Sequence, residues 1–286
     1  MNTVLFATDY SRNSAAGLRY ACVLCKKLES KLVITHIFPE SRISKTREDF
    51  PEDGVSVFEE HQKSLINFFK LTVNDPMTIE NNTFGISIEP ELHSSVFKGI
   101  LKKAGHMQSG IIIVGMRGKN SLKNLFMGNV TQNLFERSSY PVLAVPSNYK
   151  MNTLDTIVYA SNYQEEDFYC LKKLVEIAGP FGAKIRVVHI ASGSDVTTRE
   201  RTHWFQWRFQ QRINYENVLF DVIRSQDVYE RLRLYLNDVD AGMLAMLFKK
   251  DEDVWKYLFQ KKLIKRMQAN VNIPLLSFNV SGRLHT

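Results

Sequence analysis

Three cysteines in 286 residues are too few to staple a secreted scaffold, and an odd number leaves at least one thiol unpaired. That scarcity fits a reducing compartment, and the expected location is cytoplasmic. Long hydrophobic runs are also missing. No stretch approaches the roughly 20 apolar residues of a membrane-spanning helix. The apolar run Val4-Leu5-Phe6-Ala7 stops at Asp9 and has no basic region before it, so it reads as a strand and not as a signal peptide. An excess of one charge is lacking too. The 37 Lys and Arg exceed the 30 Asp and Glu by 7, and the surplus is spread evenly: 18 basic and 14 acidic residues in 1–150, 19 and 16 in the rest. No basic tail exists to attract nucleic acid, and no nucleic-acid partner is expected. With 44% apolar and 23% charged residues, the chain is not disordered, and at roughly 150 residues per domain it predicts about two domains.

What the chain does contain is an internal repeat. Thr3-Val4-Leu5-Phe6-Ala7-Thr8-Asp9-Tyr10 returns as Thr156-Ile157-Val158-Tyr159-Ala160-Ser161-Asn162-Tyr163, an offset of 156 − 3 = 153 that holds without a gap to His36 and His189. Between these points Ala15, Leu18, Ala21, Cys22, Cys25 and Leu28 match Phe168, Leu171, Leu174, Val175, Ala178 and Phe181, the three-and-four spacing of one buried helical face. Lys31 to Phe38 matches Lys184 to Ala191. Toward the ends of the halves, Ser121 to Val145 aligns with Val254 to Phe278 at an offset of 133, so the second half is shorter in its middle. This organisation predicts domains at 1–147 and 154–286.

Each half reads as alternating strands and helices around a variable segment. In the first half strands are expected near 2–8, 31–38, 84–89, 110–115 and 141–145, with helices near 13–29, 55–73, 92–105 and 129–138. The run Ile111-Ile112-Ile113-Val114 suits a strand covered on both faces. Alternation implies a parallel sheet with right-handed crossovers, and such sheets bind ligands beyond the carboxyl ends of their strands where the strand order reverses. The segments after the first and fourth strands are therefore the ones to inspect.

Gly115-Met116-Arg117-Gly118 follows the fourth strand, and Gly128-Asn129 comes after it at the start of a helix. Glycine allows positive φ and close approach of a ligand to the backbone. A helix start presents free N–H groups and the positive end of a dipole, which suits a phosphate. Asn129 is a natural N-cap. This is not a Walker A loop, since Asn120 stands where Ser or Thr belongs and Ile113 where the first glycine belongs, and there is no GxGxxG fingerprint.

The spacing G-x2-G-x9-G-polar after a parallel strand resembles that of the universal stress protein family, and the chain resembles two tandem copies of it. The resemblance implies two flavodoxin-like, doubly wound domains with five-stranded parallel sheets, packed as a pseudo-dimer. It implies ATP or AMP in the N-terminal copy, with magnesium held mainly by the phosphates. The nucleotide would meet Ala7, Thr8 and Asp9 after the first strand, with Asp9 accepting from the ribose hydroxyls. It would meet Ile37 near the adenine, Gly115, Met116 and Gly118 after the fourth strand, and Gly128, Asn129 and Val130 at the helix start. Asn129 departs from the Ser or Thr usual at its position. A homodimer beyond the intrachain pairing is a further expectation.

The second copy has lost these features. Asp9 becomes Asn162, Gly128 and Asn129 become Lys261 and Lys262, and Phe248-Lys249-Lys250-Asp251 takes the place of Gly115 to Gly118. It is expected to fold similarly without binding ATP in the same way. Lys249, Lys250, Lys261, Lys262, Lys265 and Arg266 read as a solvated face. Cys22 and Cys25 have redox-like spacing but lie on the buried stripe, so they read as structural. The repeat-equivalent His36 and His189 argue for a role in the fold. The segment Arg199 to Arg212, RERTHWFQWRFQQR, could touch a membrane surface or RNA but is better read as covering the sheet or an interface. No catalytic constellation emerges. The leading expectation is a stress-response sensor that binds an adenine nucleotide and at most hydrolyses it slowly. A nucleotide-free dimerisation or interaction module is the alternative, and an ATP-consuming enzyme is the third reading.

Overall fold

A computed structural model describes residues 1–39, 57–73, 85–116, 128–150, 153–191, 196–248 and 272–279, with residues 196 and 197 in backbone only. Two compact units divide the chain: one of Met1–Arg117, Gly128–Leu134 and Tyr140–Met151, the other chiefly of Asn152–Thr286.

In the first unit, strands β1 (Thr3–Ala7), β2 (Lys31–Thr35), β4 (Ile86–Ile88), β6 (Ile111–Met116) and β7 (Val142–Pro146) form a parallel sheet in the order β7-β6-β1-β2-β4. Val4, Leu5 and Phe6 of β1 and Ile111, Ile112 and Ile113 of β6 have no exposed surface, so the central strands are covered on both faces. Helix α1 (Arg12–Leu28) packs on the sheet through a wide face that includes Leu18, Ala21, Cys22 and Cys25 and extends to Gly17, Tyr20 and Leu24. It ends at Glu29 in the left-handed region, after Lys26 and Lys27 at the negative end of its dipole. Helices α2 (Val57–Thr72), α3 (Val96–His106) and α4 (Asn129–Arg137) complete the unit, although the residues of α4 from Phe135 onward group with the second.

Two boundaries differ from the sequence reading. The strand expected at 31–38 breaks at His36, and Ile37–Phe38 (β3) leaves the main sheet to pair in parallel with Glu91–Leu92 (β5). The helix expected from 92 therefore starts only at Val96, where the Ser95 hydroxyl accepts from the Lys98 N–H at 3.4 Å.

The second unit repeats the plan. Strands β8 (Thr156–Ala160), β9 (Lys184–Ala191), β10 (Val218–Arg224), β11 (Met243–Phe248) and β12 (Leu275–Asn279) are parallel in the order β10-β9-β8-β11-β12. Helices α5 (Asp167–Ala178), α6 (Val196–Arg212) and α7 (Val228–Asp238) flank them. The aromatic-basic segment is part of α6. Phe205 and Phe209 are buried, and both meet Phe220 of β10 edge-on, while Trp204 and Trp207 are exposed. One face of this helix thus covers the sheet.

Burial pushes the Cys22 thiol up to about 12 and those of Cys25 and Cys170 higher, which keeps all three protonated and unreactive. Among the described residues, no helix is long and apolar enough to cross a membrane.

Candidate functional site

In the first unit the strand order reverses between β1 and β6, and a cavity of about 310 Å³ opens beyond their carboxyl ends. Its wall contains Ala7, Thr8, Asp9, Ile37, Gly115, Met116, Gly128, Asn129 and Val130, nine of the ten residues singled out from sequence. The tenth, Gly118, lies outside the described residues, as do Lys249, Lys250, Lys261, Lys262, Lys265 and Arg266.

The segment after β1 is held tightly. Thr8 N–H donates to Thr35 O at 2.9 Å, the Thr8 and Ser14 hydroxyls are 2.8 Å apart, and His36 Nδ1 donates to Thr8 O at 2.8 Å. Tyr10 takes a positive φ of 61° with its ring 4.2 Å from that of His36. This turn carries Asp9 into the cavity. Its Oδ1 accepts from Ser11 N–H at 3.0 Å, and the carboxylate is otherwise exposed. The open oxygen can accept from hydroxyl groups of a ligand.

The glycines have separate reasons. At Gly115 a Cβ would lie 2.5 Å from the Ser14 Cα and 2.6 Å from the Asn13 carbonyl oxygen. Its φ is not positive. The first turn of α1, not a ligand, makes glycine necessary there. At Gly128 a Cβ would meet nothing within 4 Å among the described residues. A side chain there would enter open cavity space.

Gly128 also corrects the capping assignment. Gln132 N–H donates to Gly128 O at 3.1 Å, so Gly128 occupies the N-cap position and Asn129 is the first helical residue. The N–H groups of Asn129, Val130 and Thr131 then belong to the first turn, which has no intrahelical acceptor for them, and all three residues line the cavity.

Ser11, Asn13, Ser14, Val96, Ile100, Val114 and Thr131 line it as well, unnoticed in the sequence. Val96 and Ile100 are one helical turn apart and give an apolar wall beside Ile37. The signal for Thr131 was its place two residues into a helix whose start faces the switch point.

The corresponding crevice of the second unit is about 20 Å³. Ala160, Ser161, Asn162, Ile190, Val228 and Leu232 line it, each the counterpart of Ala7, Thr8, Asp9, Ile37, Val96 and Ile100. Strand register corrects one equivalence. Ala7 pairs with Val114 and Ala160 with Met246, so the counterpart of Gly115 is Leu247, not Phe248. Leu247 is wholly buried, and α5 begins at Asp167, the counterpart of Ser14 and two positions later in the repeat than the start of α1. Buried Asp167 accepts from Tyr159 O–H at 2.6 Å, Ser161 O–H at 2.6 Å and Gln164 N–H at 3.0 Å. Burial and the Asp167 charge hold the Tyr159 phenol well above its usual range, so it stays a donor.

Residues 1–146 match the family model described as the universal stress protein family. A universal stress protein of Methanocaldococcus jannaschii is 28% identical over 158 residues, covering 50% of this chain and 93% of that protein. One of Bacillus subtilis is 26% identical over 160 residues, covering 50% and 98%. Among solved structures, a universal stress protein from Archaeoglobus fulgidus superposes with a TM-score of 0.70 at 14% identity, covering 97% of this chain and 98% of the other, a likeness of fold.

Proposed function

The chain belongs to the universal stress protein family, and on that premise we propose that its first unit binds an adenine nucleotide, ATP or AMP, as a sensor or regulatory site. The observation that carries this reading is one cavity that unites an open carboxylate oxygen on Asp9, an apolar wall of Ile37, Val96 and Ile100, and the first turn of α4. Each suits a different part of a nucleotide: hydroxyls of the sugar, the face of the base and the phosphates. Among the described residues, the open space at Gly128 leaves room for phosphate against the backbone. Thr131 supplies a hydroxyl in the first turn that Asn129 does not.

Among the described residues no group of three or more His, Cys, Asp or Glu is placed to hold a metal ion. Magnesium would accordingly enter on the phosphates. The chain's own residues bind and orient the nucleotide in this reading. Nucleotide contacts at the start of α4 would favour one conformation of the site and so bias a partner surface. The tandem domains, 1–147 and 154–286, then divide the work, the first holding the ligand. The collapsed crevice at Ser161 and Asn162 supports a second domain that serves as a structural or interaction partner.

Calorimetric titration of ATP and AMP, with magnesium, tests this on the intact chain, Gly128→Leu and Asp9→Ala. One site per chain is expected. Leucine at 128 should abolish binding without lowering the melting temperature, and alanine at 9 should weaken it about tenfold, the worth of one charge-assisted hydrogen bond. Absence of saturable heat with either nucleotide sinks the reading and leaves the interaction module.

A further inference from the structure

The second unit has a larger cavity of its own, about 630 Å³, at the carboxyl end of its outermost strand β10. We propose that this cleft, formed by α6, the end of β10 and α7, binds a small organic phosphate carrying at least two negative charges. The inference is independent of the nucleotide reading of the first unit.

Arg199, Thr202, His203 and Gln206 lie on one face of α6, spaced by three and four residues, and Arg224 and Arg231 close the cleft from β10 and α7. No Asp or Glu is among its described lining residues. Other arginines of the second unit have partners: Arg186 with Asp221 at 3.1 Å, Arg233 with Glu230, Arg212 with Glu165, Arg201 with the Asn162 carbonyl at 3.1 Å, and Arg208 over the Trp204 ring. Arg199 and Arg224 make no ion pair among the described residues, and Arg231 reaches Asp238 only at 3.9 Å. Three guanidinium groups gathered in one concave wall repel one another unless an anion lies between them. Their planar forks fit phosphate oxygens two at a time.

The start of α7 is not the attraction, because the Asp227 carboxylate already accepts from Glu230 N–H at 2.9 Å. The repeat makes the basic lining particular to this unit. With the offset 224 − 92 = 231 − 99 = 132, Arg224 and Arg231 stand where the first unit has Leu92 and Gly99. There a Cβ on Gly99 would strike Ile37 at 2.7 Å, so the place is filled. The apolar side chains of Val222 and Ile223 and the amide of Gln206 leave surface for the organic part of the ligand.

The test is titration of pyrophosphate, and separately of fructose 1,6-bisphosphate, into the intact chain, followed by heat and by the fluorescence of Trp204 and Trp207 on α6. The comparison proteins are Arg199→Ser/Arg224→Ser, Arg224→Lys and Gly128→Leu. Saturable binding that weakens with salt is expected, at least 30-fold weaker in the double variant, several-fold weaker with lysine, and unchanged in Gly128→Leu. The substituted side chains are exposed, so the melting temperature should hold; if it falls in the double variant, the lysine variant decides. Equal binding in wild type and variants, loss of binding in Gly128→Leu, or binding only to RNA or anionic vesicles and not to either phosphate would overturn the proposal.

Discussion

The two units share a frame and differ at the switch-point crevice. Both hold the turn after the first strand by a histidine whose Nδ1 meets a backbone carbonyl: His36 to Thr8 at 2.8 Å, His189 to Ser161 at 2.9 Å. Both place a tyrosine at positive φ beside that ring, Tyr10 and Tyr163. Both pair a carboxylate at equivalent positions, just past β4 and within β10, with the following helix: Glu89 with Lys103 at 2.7 Å and Asp221 with Tyr235. The crevice is where they part: about 310 Å³ against about 20 Å³, Gly115 against Leu247, a Thr8–Ser14 hydroxyl pair against the carboxylate of Asp167. Residues kept in both units hold the fold. Residues that differ decide whether the switch point is open.

The largest effects should come from exchanging Gly115 and Leu247. Gly115→Leu forces the first turn of α1 away, because even a Cβ lies 2.5 Å from the Ser14 Cα. Overpacking against backbone should cost about 3 kcal/mol or more. The converse change, Leu247→Gly, removes a wholly buried side chain and adds backbone freedom, about 4 kcal/mol. Urea denaturation measures both. If Gly115→Leu proves neutral, helix approach is not what requires glycine there.

Next in size is the contrast between Asp167 and Ser14. Asp167→Ala strands the buried hydroxyls of Tyr159 and Ser161, which should cost about 3 kcal/mol. Ser14→Ala removes a hydroxyl that meets Thr8 and donates to the Ser11 carbonyl, but Thr8 still accepts from Tyr10 N–H, so it should cost about 1 kcal/mol. Equal losses in the same denaturation experiment would erase the distinction between a buried network and a local hydroxyl pair.

Much of this frame was legible because its signals are local. The β-branched run at Ile111 announces a doubly covered strand, and the repeat at offset 153 carries the first strand, helix and second strand without a gap. The candidate site was legible where it follows a strand end, at Asp9 and after Val114. Three things were not. The break at His36 depends on a pairing with Glu91–Leu92 more than 50 residues away. The steric role of Gly115 depends on α1, an element distant in sequence. The one-residue slip that puts Leu247 opposite Gly115 could not be read from Met243–Phe248, since every residue of that strand is buried and no alternation marks its register. Val96 and Ile100 joined the cavity wall for the same reason as the first two: only the fold brings them to the strand ends.

The smallest expected effect sharpens what the two units share. Burial pushes the His189 imidazole below its ordinary value of 6.5; the hydrogen bond to Ser161 O opposes this, and the nearby Arg201 charge adds to it. Above 6.5 both folded and unfolded chains carry this ring neutral, and it contributes no pH dependence. As pH falls through 6.5 the unfolded chain takes up the proton first, so stability is lost toward acid until the folded ring also protonates. Asparagine at 189 keeps a donor near Ser161 O but cannot titrate. The variant His189→Asn should therefore lose less stability between neutral pH and pH 5 than the wild type, by under about 1 kcal/mol because the ring is not fully shielded. Urea midpoints at several pH values measure the difference, and parallel pH profiles for wild type and variant would show that the histidine holds this turn without sensing protons.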